Sequence, residues 1–423
     1  MNYRESLDYL YGLQRFGIKL GLENIRTLLE RCGHPERGYG IIHVAGTNGK
    51  GSVSAALAAI LQHAGYRTGL YTSPHLHSFT ERIRVDGVAI VEDEVARLTI
   101  LLRSLAEGVP ATFFEFTTAM ALLHFQQRQV DFAILEVGMG GRLDATNAVN
   151  PRLCVITPIC FDHAEHLGDS LAAIAREKGG IIKEKIPVIV GRQEPEALEV
   201  LMEEARSRHS SLFLCGRDFS PARGPDGFGF HGMGLELSGL RPGLLGAHQQ
   251  ENLSLALAAA AVLRLQGAGI PGAALREGIE RVRWPGRLEW WGGRREVLID
   301  GAHNEGGARV LAAYLSSLPI TGVRWVAGIK GIRPIRDILG PLLPHVSALY
   351  CTRPPVEESV DPELLAEHGA AAGVPAEAYE TPEAALAAAL RDRRRDEIVL
   401  VAGSLFLAAA AREFLQNQET PSE

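Results

Sequence analysis

Clustered basic residues, paired cysteines and long apolar runs are all scarce in this chain of 423 residues. A surface that binds nucleic acid needs clustered Lys and Arg to replace phosphate counterions, but the formal net charge here is −7. The basic segment Arg391-Asp-Arg-Arg-Arg395 is short and contains an acid, which is typical of a solvated helix end. We therefore expect no nucleic-acid partner.

Membrane and export signals are also missing from the sequence. It contains no run of about 18 apolar residues, and the first residues, Met1 to Leu7, hold no apolar core of signal-peptide length. The cysteines are odd in number and never form a Cys-x-x-Cys pair: Cys32, Cys154, Cys160, Cys215 and Cys351. Such cysteines fit reduced structural thiols rather than a disulfide framework or a zinc site. These features predict a cytoplasmic protein with no membrane partner.

The order of apolar segments predicts an α/β protein of two domains. Short apolar runs alternate with helical patterns, which favours mostly parallel sheets with helices on both faces. A Pro/Gly-rich break at 284–294 predicts a junction between domains at 1–290 and 291–423. The predicted strands are Gly40–Ala45, Gly69–Thr72, Phe132–Val137, Leu153–Thr157, Val188–Gly191, Glu296–Asp300, Val323–Gly328, Ala348–Thr352 and Ile398–Ala402. The predicted helices include Ser52–Ala64, Glu251–Gln266 and residues 376–390.

The segment Gly46-Thr-Asn-Gly-Lys-Gly-Ser52 has the composition of a phosphate-binding loop. It follows a predicted strand and opens a predicted helix, and its glycines let successive backbone amides converge on an anion. Lys50 would reach the outer phosphates, and the Ser52 hydroxyl would meet a magnesium ion. The Walker pattern itself is not matched, because Val44 stands at its first glycine and Gly51 separates Lys50 from Ser52. The segment predicts a site for a nucleoside triphosphate; the alternative is an ordinary strand-turn-helix connection.

Polar side chains follow two further predicted strands. Glu136 lies at the carboxyl end of one strand, and Asp162, His163 and His166 follow the next. In open α/β sheets, ligands bind at this end of the strands. The His163-x-x-His166 pair lacks the other ligands of a zinc site, whereas carboxylate, imidazole and hydroxyl groups suit magnesium held partly by substrate oxygens. The alternative for Glu136 is a salt bridge at a strand end.

An ordered set of motifs runs through nearly the whole chain. These motifs are Gly46-Thr-Asn-Gly-Lys-Gly-Ser52, Thr72-Ser-Pro-His-Leu76, Glu81-Arg-Ile83, Leu135-Glu-Val-Gly-Met-Gly-Gly-Arg-Leu-Asp-Ala-Thr-Asn147, Asp162-His163, Glu177-Lys178, His248-Gln-x-x-Asn252, Trp284-Pro-Gly-Arg-Leu-Glu289, Asp300-Gly-Ala-His-Asn304 and Gly403-Ser-Leu. In this set the chain resembles the folylpolyglutamate synthase/dihydrofolate synthase family, a branch of the Mur-type ATP-dependent amide ligases. The resemblance implies an N-terminal P-loop-type domain that binds ATP and the pterin substrate, and a smaller Rossmann-like C-terminal domain that binds glutamate and closes over ATP.

The resemblance also implies which residues act. The implied catalytic residues are Lys50, Glu136, His163, Lys178, Arg287, Asp300 and His303. The implied ATP-binding residues are Gly46, Thr47, Asn48, Gly49, Lys50, Gly51, Ser52, His248, Asn252, Arg287 and Asp300. The residues implied for folate or dihydropteroate are Ser73, Pro74, His75, Arg82, Asp144 and Ala145. Two magnesium ions would be held by Ser52, Glu136, His163 and a carbamylated Lys178, since a carbamate supplies the oxygens that an amine lacks. The alternative is that Lys178 pairs with Glu177 or a phosphate.

The implied reaction adds L-glutamate to the carboxylate of a folate or dihydropteroate through an acyl phosphate formed from ATP. Alternatives are a Mur-like ligase for another carboxylate, a kinase, and a nucleotide-dependent switch that makes no bond. The Thr72–Arg84 loop and Asp144 argue against the first. The second domain and the amide-ligase motifs argue against a kinase, and a switch would not need the converging His163, Lys178, Arg287 and Asp300. The segment 328–336 departs from the Asp-Lys-Asp cluster usual in the family, which leaves glutamate affinity open. We expect a monomer whose partners are small-molecule substrates.

Overall fold

The structure, a computed structural model, describes residues 1–16, 21–162, 164–224, 227–293, 295–331 and 334–419. The chain divides into two compact units. The first comprises Met1–Gly243 and Gln249–Arg283, and the second comprises Leu244–His248 and Trp284–Glu423. Within the described ranges, no helix combines the length and the apolar character needed to cross a membrane.

The first unit contains two sheets. Its strands are β1 Gly40–Ala45, β2 Thr68–Tyr71, β3 Ile83–Val85, β4 Val88–Ala89, β5 Phe132–Glu136, β6 Leu153–Ile156, β7 Val188–Val190, β8 Leu212–Leu214, β9 Phe219–Gly224, β10 Gly227–Gly232 and β11 Leu235–Leu240. Among the described residues, eight strands form the larger sheet in the order β4-β3-β2-β5-β1-β6-β7-β8. Strands β2, β5, β1, β6, β7 and β8 run parallel, and β3 and β4 add an antiparallel edge. The strands β9 to β11 form a separate antiparallel sheet.

Helices cover both faces of the larger sheet. They are α1 Tyr3–Gly12, α2 Glu23–Arg31, α3 Lys50–His63, α4 Glu92–Leu105, α5 Phe113–Gln127, α6 Ala164–Leu167, α7 Leu171–Gly179, α8 Pro195–Ser207, α9 Ala247–Leu265 and α10 Gly272–Arg281, with 3₁₀ turns at Leu13–Phe16, Pro35–Arg37, Phe79–Arg82 and Ala145–Ala148. On one face, Ile41 packs in a cluster with α5, and Ala45 packs in a cluster with α7 and α8. Helix α3 contacts β1, β2 and β5, while its buried side chains belong to neither cluster. Parallel strands buried in this way explain the continuous apolar runs of the sequence.

The second unit is a mostly parallel sheet between helices. Its strands are β12 Glu289–Trp291, β13 Val297–Ile299, β14 Gly322–Ala327, β15 Val346–Cys351, β16 Ala376–Ala378 and β17 Glu397–Ala402, and its helices are α11 Glu305–Ser316, α12 Ile335–Leu339, α13 Pro362–Ala371, α14 Pro382–Asp392 and α15 Leu405–Glu419, with a 3₁₀ turn at Leu343–His345. The strand order is β12-β13-β17-β14-β15-β16, and β12 runs antiparallel to β13. Trp325 and Val326 of β14 belong to different hydrophobic clusters. Alternate residues of a strand point to opposite faces, so both faces are covered.

The predicted fold class, two α/β regions with mostly parallel sheets, is confirmed. The predicted helix at 376–390 is wrong at its start, because Ala376–Ala378 pairs with β15 as an edge strand. The helix begins at Pro382, where the Thr381 side chain accepts a hydrogen bond from Ala384 N. Here pairing with a neighbouring strand overrides the helix propensity of alanine. The β9–β11 sheet was not predicted, because the glycines and the proline of β9 and β10 disfavour a strand assignment.

Candidate active site

The loop between β1 and α3 requires glycine at two positions. Gly46 and Gly49 have φ angles of 136° and 90°, in the region that favours glycine. A Cβ on Gly46 would lie 1.9 Å from Thr157 Oγ1, and one on Gly49 would lie 2.4 Å from Asn252 Oδ1. The Asn252 side chain, on α9, therefore lies directly against the loop.

The backbone amides of this loop serve two purposes. Thr47 N and Asn48 N donate to Pro158 O at 3.0 and 3.3 Å, and the Thr47 hydroxyl donates to Cys160 O while accepting from Cys160 N. These bonds fix the first half of the loop. Helix α3 then begins at Lys50, and the first amides of a helix have no acceptor within it. The amides of Lys50, Gly51 and Ser52, at the positive end of the helix, are thus the ones suited to an anion.

Two lysine side chains converge on one carbonyl of the loop. Lys50 Nζ donates to Gly46 O and Thr47 O at 3.1 Å each, and Lys178 Nζ donates to Gly46 O at 2.9 Å. Lys178, on α7, is 4% exposed. Burial, reinforced by the charge of Lys50, lowers the pKa of Lys178 to about 7. An anion bound here would offset the repulsion between Lys50 and a protonated Lys178.

Oxygen donors suited to magnesium lie at the same edge of the sheet. Glu136 ends β5 opposite Val44 of β1, is 6% exposed, and accepts a hydrogen bond from Ser73 N at 3.3 Å. The buried Ser52 hydroxyl lies in the first turn of α3. The described residues contain no group of three or more His, Cys, Asp or Glu placed to hold a metal. The predicted ligand His163 lies outside the described residues.

A cavity of about 570 Å³ opens beside this edge of the sheet. Such a volume suits a small organic ligand. Its lining consists of Gln14, Gly21, Ser73, Pro74, Arg82, Thr112, Phe113, Phe114, Glu115, Gly138, Met139, Gly140, Gly141, Arg142, Leu143, Asp144, Ala145, His166, Leu167 and Glu177. Every residue predicted for folate or dihydropteroate except His75 is in this set. Aromatic and aliphatic walls combined with a few polar groups are typical of a site for a flat heteroaromatic ring.

Arg82 brings a nearly buried cation to the cavity. Its guanidinium lies 5.3 Å from the Phe113 ring centroid, and its Nε donates to His75 Nδ1 at 2.8 Å. Burial, together with the charge of Arg82, lowers the pKa of His75 to about 4. His75 is therefore a neutral acceptor that orients Arg82 from outside the cavity lining, which explains its absence from the lining set.

Asp144 closes the glycine-rich loop after β5. Its Oδ1 accepts from Thr146 N and Thr146 Oγ1 at 3.0 and 2.5 Å, and its Oδ2 accepts from Met139 N at 2.9 Å. Burial raises the pKa of Asp144, and these hydrogen bonds, with one from Gly138, oppose that shift. Ala145 follows at 4% exposure and opens a 3₁₀ turn. The carboxylate thus fixes the shape of one cavity wall.

Sequence reasoning missed the wall contributed by the start of α5. The Thr112 side chain accepts from Glu115 N, and the Glu115 carboxylate accepts from Thr112 N at 2.8 Å. This is a capping box, whose Thr-x-x-Glu pattern before an apolar run is readable from sequence. A Cβ on Gly138 would lie 2.5 Å from the Phe114 ring, so the aromatic ring packs against the glycine loop.

Four predicted residues gather within the second unit. Asp300, 8% exposed, accepts from Leu288 N at 2.9 Å and from Ala302 N at 2.8 Å. His303 Nδ1 lies 2.8 Å from Gly301 O, and a Cβ on Gly301 would meet Arg287 Nη1 at 2.5 Å. Burial lowers the pKa of His248, and the charge of Asp300 partly offsets this shift. His248, Arg287, Asp300 and His303 therefore surround one turn after β13.

Family profiles match most of the chain. The Mur ligase middle domain matches residues 44–260, and the Mur ligase glutamate ligase domain matches residues 286–405. The first match alone covers half of the chain, and it includes the phosphate loop and the cavity loops described above.

Named relatives extend the match to full length. The chain is 34% identical to a folylpolyglutamate synthase of Lacticaseibacillus casei over 432 residues, covering 98% of this chain and 99% of the relative. It is 41% identical to a dihydrofolate synthase/folylpolyglutamate synthase of Bacillus subtilis over 324 residues, covering 73% and 75%. It spans 50% of a probable bifunctional folylpolyglutamate synthase/dihydropteroate synthase of Haloferax volcanii, at 35% identity over 97% of this chain.

Solved structures agree with these relatives. Escherichia coli FolC in complex with DHPP and ADP superposes with a TM-score of 0.92 at 33% identity, covering 99% of both chains. A bifunctional folylpolyglutamate synthase/dihydrofolate synthase of Yersinia pestis complexed with AMPPNP and Mn ion gives a TM-score of 0.90 at 31% identity, covering 98% of both chains. The chain belongs to the folylpolyglutamate synthase/dihydrofolate synthase family of Mur-type, ATP-dependent amide ligases.

Proposed function

We propose that this chain joins L-glutamate to the carboxylate of dihydropteroate or of a folate, with ATP as the activating substrate. One observation carries the proposal: the neighbouring strands β1 and β5 bring a phosphate-type loop and a heteroaromatic-sized cavity to the same edge of one sheet. Glu136 connects the two features, since it faces Val44 across the strands and accepts a hydrogen bond from Ser73 in the cavity lining.

The proposed reaction has two steps. A carboxylate oxygen of the acceptor attacks the γ-phosphorus of ATP, ADP leaves, and an acyl phosphate forms. The amine nitrogen of glutamate then attacks the acyl carbon, phosphate leaves, and the amine loses a proton. The first step brings two anions together, and fixed positive charge lowers its barrier. Lys50 and the amides at the start of α3 would supply that charge around the phosphates.

Magnesium would be held by Ser52 and Glu136, with His163 as a further ligand assigned from sequence. Its charge would offset that of the phosphates. Glu136→Gln should weaken nucleotide-dependent Mn²⁺ binding, followed by electron paramagnetic resonance, by about tenfold and abolish ligation without changing the circular dichroism spectrum. His163→Ala should behave alike. The exposed Glu184→Gln variant is the control, and unchanged Mn²⁺ affinity in Glu136→Gln would remove Glu136 from the metal site.

A carbamate on Lys178 is part of the proposal. Formation of a carbamate requires an uncharged amine, and the lowered pKa of Lys178, about 7, provides one at neutral pH. Its oxygens would extend the oxygen donor set near Gly46. The wild type equilibrated with ¹³C-bicarbonate should show a carbamate carbon resonance that Lys178→Met lacks. An identical spectrum in the variant would exclude a carbamate, and Lys178 would then be an amine that stabilises the loop through its hydrogen bond to Gly46 O.

We assign ligand contacts to the other predicted residues from their positions. Ser73, Pro74, Arg82, Asp144 and Ala145 would contact the pteridine or aminobenzoate part of the acceptor. His248, Arg287, Asp300 and His303 would contact ATP. The second domain, predicted at 291–423, would bind glutamate, which the match of residues 286–405 to a glutamate ligase domain supports. A monomeric state and a cytoplasmic location stay predictions.

The decisive assay is phosphate release from ATP and magnesium with glutamate, comparing dihydropteroate, tetrahydrofolate and no acceptor. We expect acceptor-dependent release and a product heavier by one glutamyl unit. The acceptors that respond will define whether one or both folate reactions occur. Hydrolysis at the same rate without acceptor, and with no new amide by mass spectrometry, would contradict the proposal.

A further inference from the structure

A buried histidine stands in the centre of the sheet with no role in the reaction described above. His43 lies on β1 between Ile41 and Ala45, and it is fully buried. Its Nε2 lies 2.8 Å from Thr146 Oγ1, and the same hydroxyl lies 2.5 Å from Asp144 Oδ1. A continuous chain of hydrogen bonds therefore links the sheet core to the carboxylate that shapes the cavity wall.

The direction of these bonds follows from the partners. The Asp144 carboxylate accepts from Thr146 Oγ1, so the hydroxyl has its proton committed and can only accept from His43. His43 must then carry its proton on Nε2. Its Nδ1 has no hydrogen-bond partner among the described residues, and an unpaired acceptor there is less costly than an unpaired N–H donor. In the opposite tautomer, His43 Nδ1 would be a buried donor without a partner. His43 Nε2 and Asp144 Oδ1 would then both need the single hydroxyl proton of Thr146.

The electrostatics agree with a neutral ring. Burial, with the charge of Lys183 in support, lowers the pKa of His43 to about 3. The ring therefore acts as a fixed donor in the physiological range.

The chain of bonds ends on the loop that the cavity depends on. Asp144 holds Met139 N at one end of the loop and Thr146 N at the other. Gly138, Met139 and Asp144 all line the cavity. Loss of the Thr146 hydroxyl would leave Asp144 with one donor fewer and His43 with a second unpaired polar atom. The loop would then lose the shape in which it faces the ligand.

We propose that His43 and Thr146 are positioning residues that hold Asp144, and with it the cavity wall, in the form that receives the pteridine-bearing substrate. This inference rests on the proposed function and assigns recognition of the acceptor to residues that do not touch it. It separates recognition of the acceptor from recognition of ATP, because none of the three side chains is hydrogen-bonded to the loop Gly46–Ser52 in the described contacts. The charge of Asp144 does act on Lys178, and removal of the Thr146 hydroxyl leaves that charge in place.

Thr146→Val tests the inference because valine keeps the shape and removes the hydroxyl. We expect the KM for dihydropteroate to rise by about tenfold, the KM for ATP to change by less than about twofold, and Thr146→Ser to restore the wild-type value. The control is Thr99→Val, which removes a buried hydroxyl bonded to Val95 O in α4 and should leave both KM values unchanged.

A second measurement does not depend on activity. Hydrogen exchange of the full-length, ligand-free chain should be faster in the 137–147 peptide of Thr146→Val than of the wild type, and unchanged in that peptide for Thr99→Val. Parallel rises in both KM values, or an unchanged dihydropteroate KM with unchanged exchange, would overturn the inference. A wild type that releases no acceptor-dependent phosphate would instead overturn the proposed function, so the two failures are distinct.

Discussion

Two glycine-rich loops follow neighbouring parallel strands of the first unit, and they are held by opposite charges. In the loop 46–52, the ammonium group of Lys50 and the amino group of Lys178 donate hydrogen bonds to carbonyl oxygens. In the loop 138–146, the carboxylate of Asp144 binds amide groups. In the first loop, positive charge and the backbone amides at the start of α3 therefore stay available to bind an anion. The second uses amides and a negative charge for bonds within the loop, and the wall that it leaves is mostly glycine and aliphatic side chains, with Arg142 and Asp144 as its charged members.

One sheet edge can serve two unlike substrates because its two loops present different groups. A phosphate needs fixed positive charge and amide donors, whereas a heteroaromatic ring needs flat apolar walls with few polar groups. Parallel strands deliver successive loops to the same edge. Substitutions in each loop should therefore affect different substrates.

The largest effect should come from the cation of the phosphate loop. Lys50→Met removes a charge from the proposed γ-phosphate site, and kcat/KM should fall by about 10²–10³ or more. The coupled phosphate-release assay measures this loss with each acceptor. Lys185→Met is the matched control, since the Lys185 side chain is 76% exposed. Retention of more than about half of wild-type turnover in Lys50→Met would break the assignment of this loop to phosphate.

The opposite loop should give a selective loss. Asp144→Asn keeps the shape but replaces one acceptor oxygen by an NH₂ group that faces backbone donors. We expect kcat/KM for dihydropteroate to fall by about 10- to 50-fold, with the KM for ATP within about twofold of wild type. Asp131→Asn, which alters a carboxylate bonded to Arg67 N away from the cavity lining, is the control. Equal effects of Asp144→Asn on both substrates would contradict the division between the loops.

Glycine substitutions in the two loops should differ in their effect on the free energy of unfolding as well as in the substrate that they affect. Gly46→Ala combines a φ of 136° with a clash against Thr157, and it should lower the free energy of unfolding by about 2–4 kcal/mol. Gly138→Ala displaces only the Phe114 ring, so it should chiefly raise the dihydropteroate KM. Gly108→Ala has open space at a φ of 75° and measures the backbone cost alone, about 1 kcal/mol.

Thermal denaturation gives the order of these variants. If Gly46→Ala and Gly108→Ala have the same melting temperature, Thr157 moves to accommodate the extra methyl group. The close approach of Gly46 to Thr157 would then contribute nothing to the loss of stability.

A further effect is a pH signature of the phosphate loop. In buffer free of bicarbonate, where Lys178 stays an amine, burial and the charge of Lys50 lower its pKa from 10.5 to about 7. Between these values the unfolded chain therefore binds more protons than the folded chain. The free energy of unfolding then rises with pH in that window. Lys178→Met abolishes this dependence, and the wild type should gain melting temperature relative to the variant between about pH 7 and pH 9. If the melting temperatures of the wild type and Lys178→Met change in parallel with pH, the lowered pKa of Lys178 is refuted. Lys185→Met is the control and should show the pH dependence of the wild type.

Much of the fold was predictable from sequence, because parallel strands buried on both faces leave continuous apolar runs, and glycines mark the loop after β1. The family assignment, made on motifs such as Gly46-Thr-Asn-Gly-Lys-Gly-Ser52, is confirmed. The roles of individual residues stay predictions, and His163 lies outside the described residues.

Other features depend on contacts that sequence separation conceals. The bond between His43 and Thr146 joins residues that are distant along the chain, and only the register of β1 beside β5 brings them together. The edge strand Ala376–Ala378 is formed by pairing with β15, against the helix propensity of its residues. Phe113 and Phe114 line the cavity, and Phe114 packs against Gly138; neither residue was predicted to be part of the site.

Isotope transfer from the acceptor tests most directly whether both loops serve one reaction. Dihydropteroate with ¹⁸O in its carboxylate would be incubated with ATP, magnesium and glutamate, and the released phosphate analysed by mass spectrometry. Attack of the carboxylate on the γ-phosphorus predicts one ¹⁸O atom in phosphate for each amide formed. Amide formation with unlabelled phosphate would contradict the account, because the carboxylate would then not have been activated at the phosphate loop.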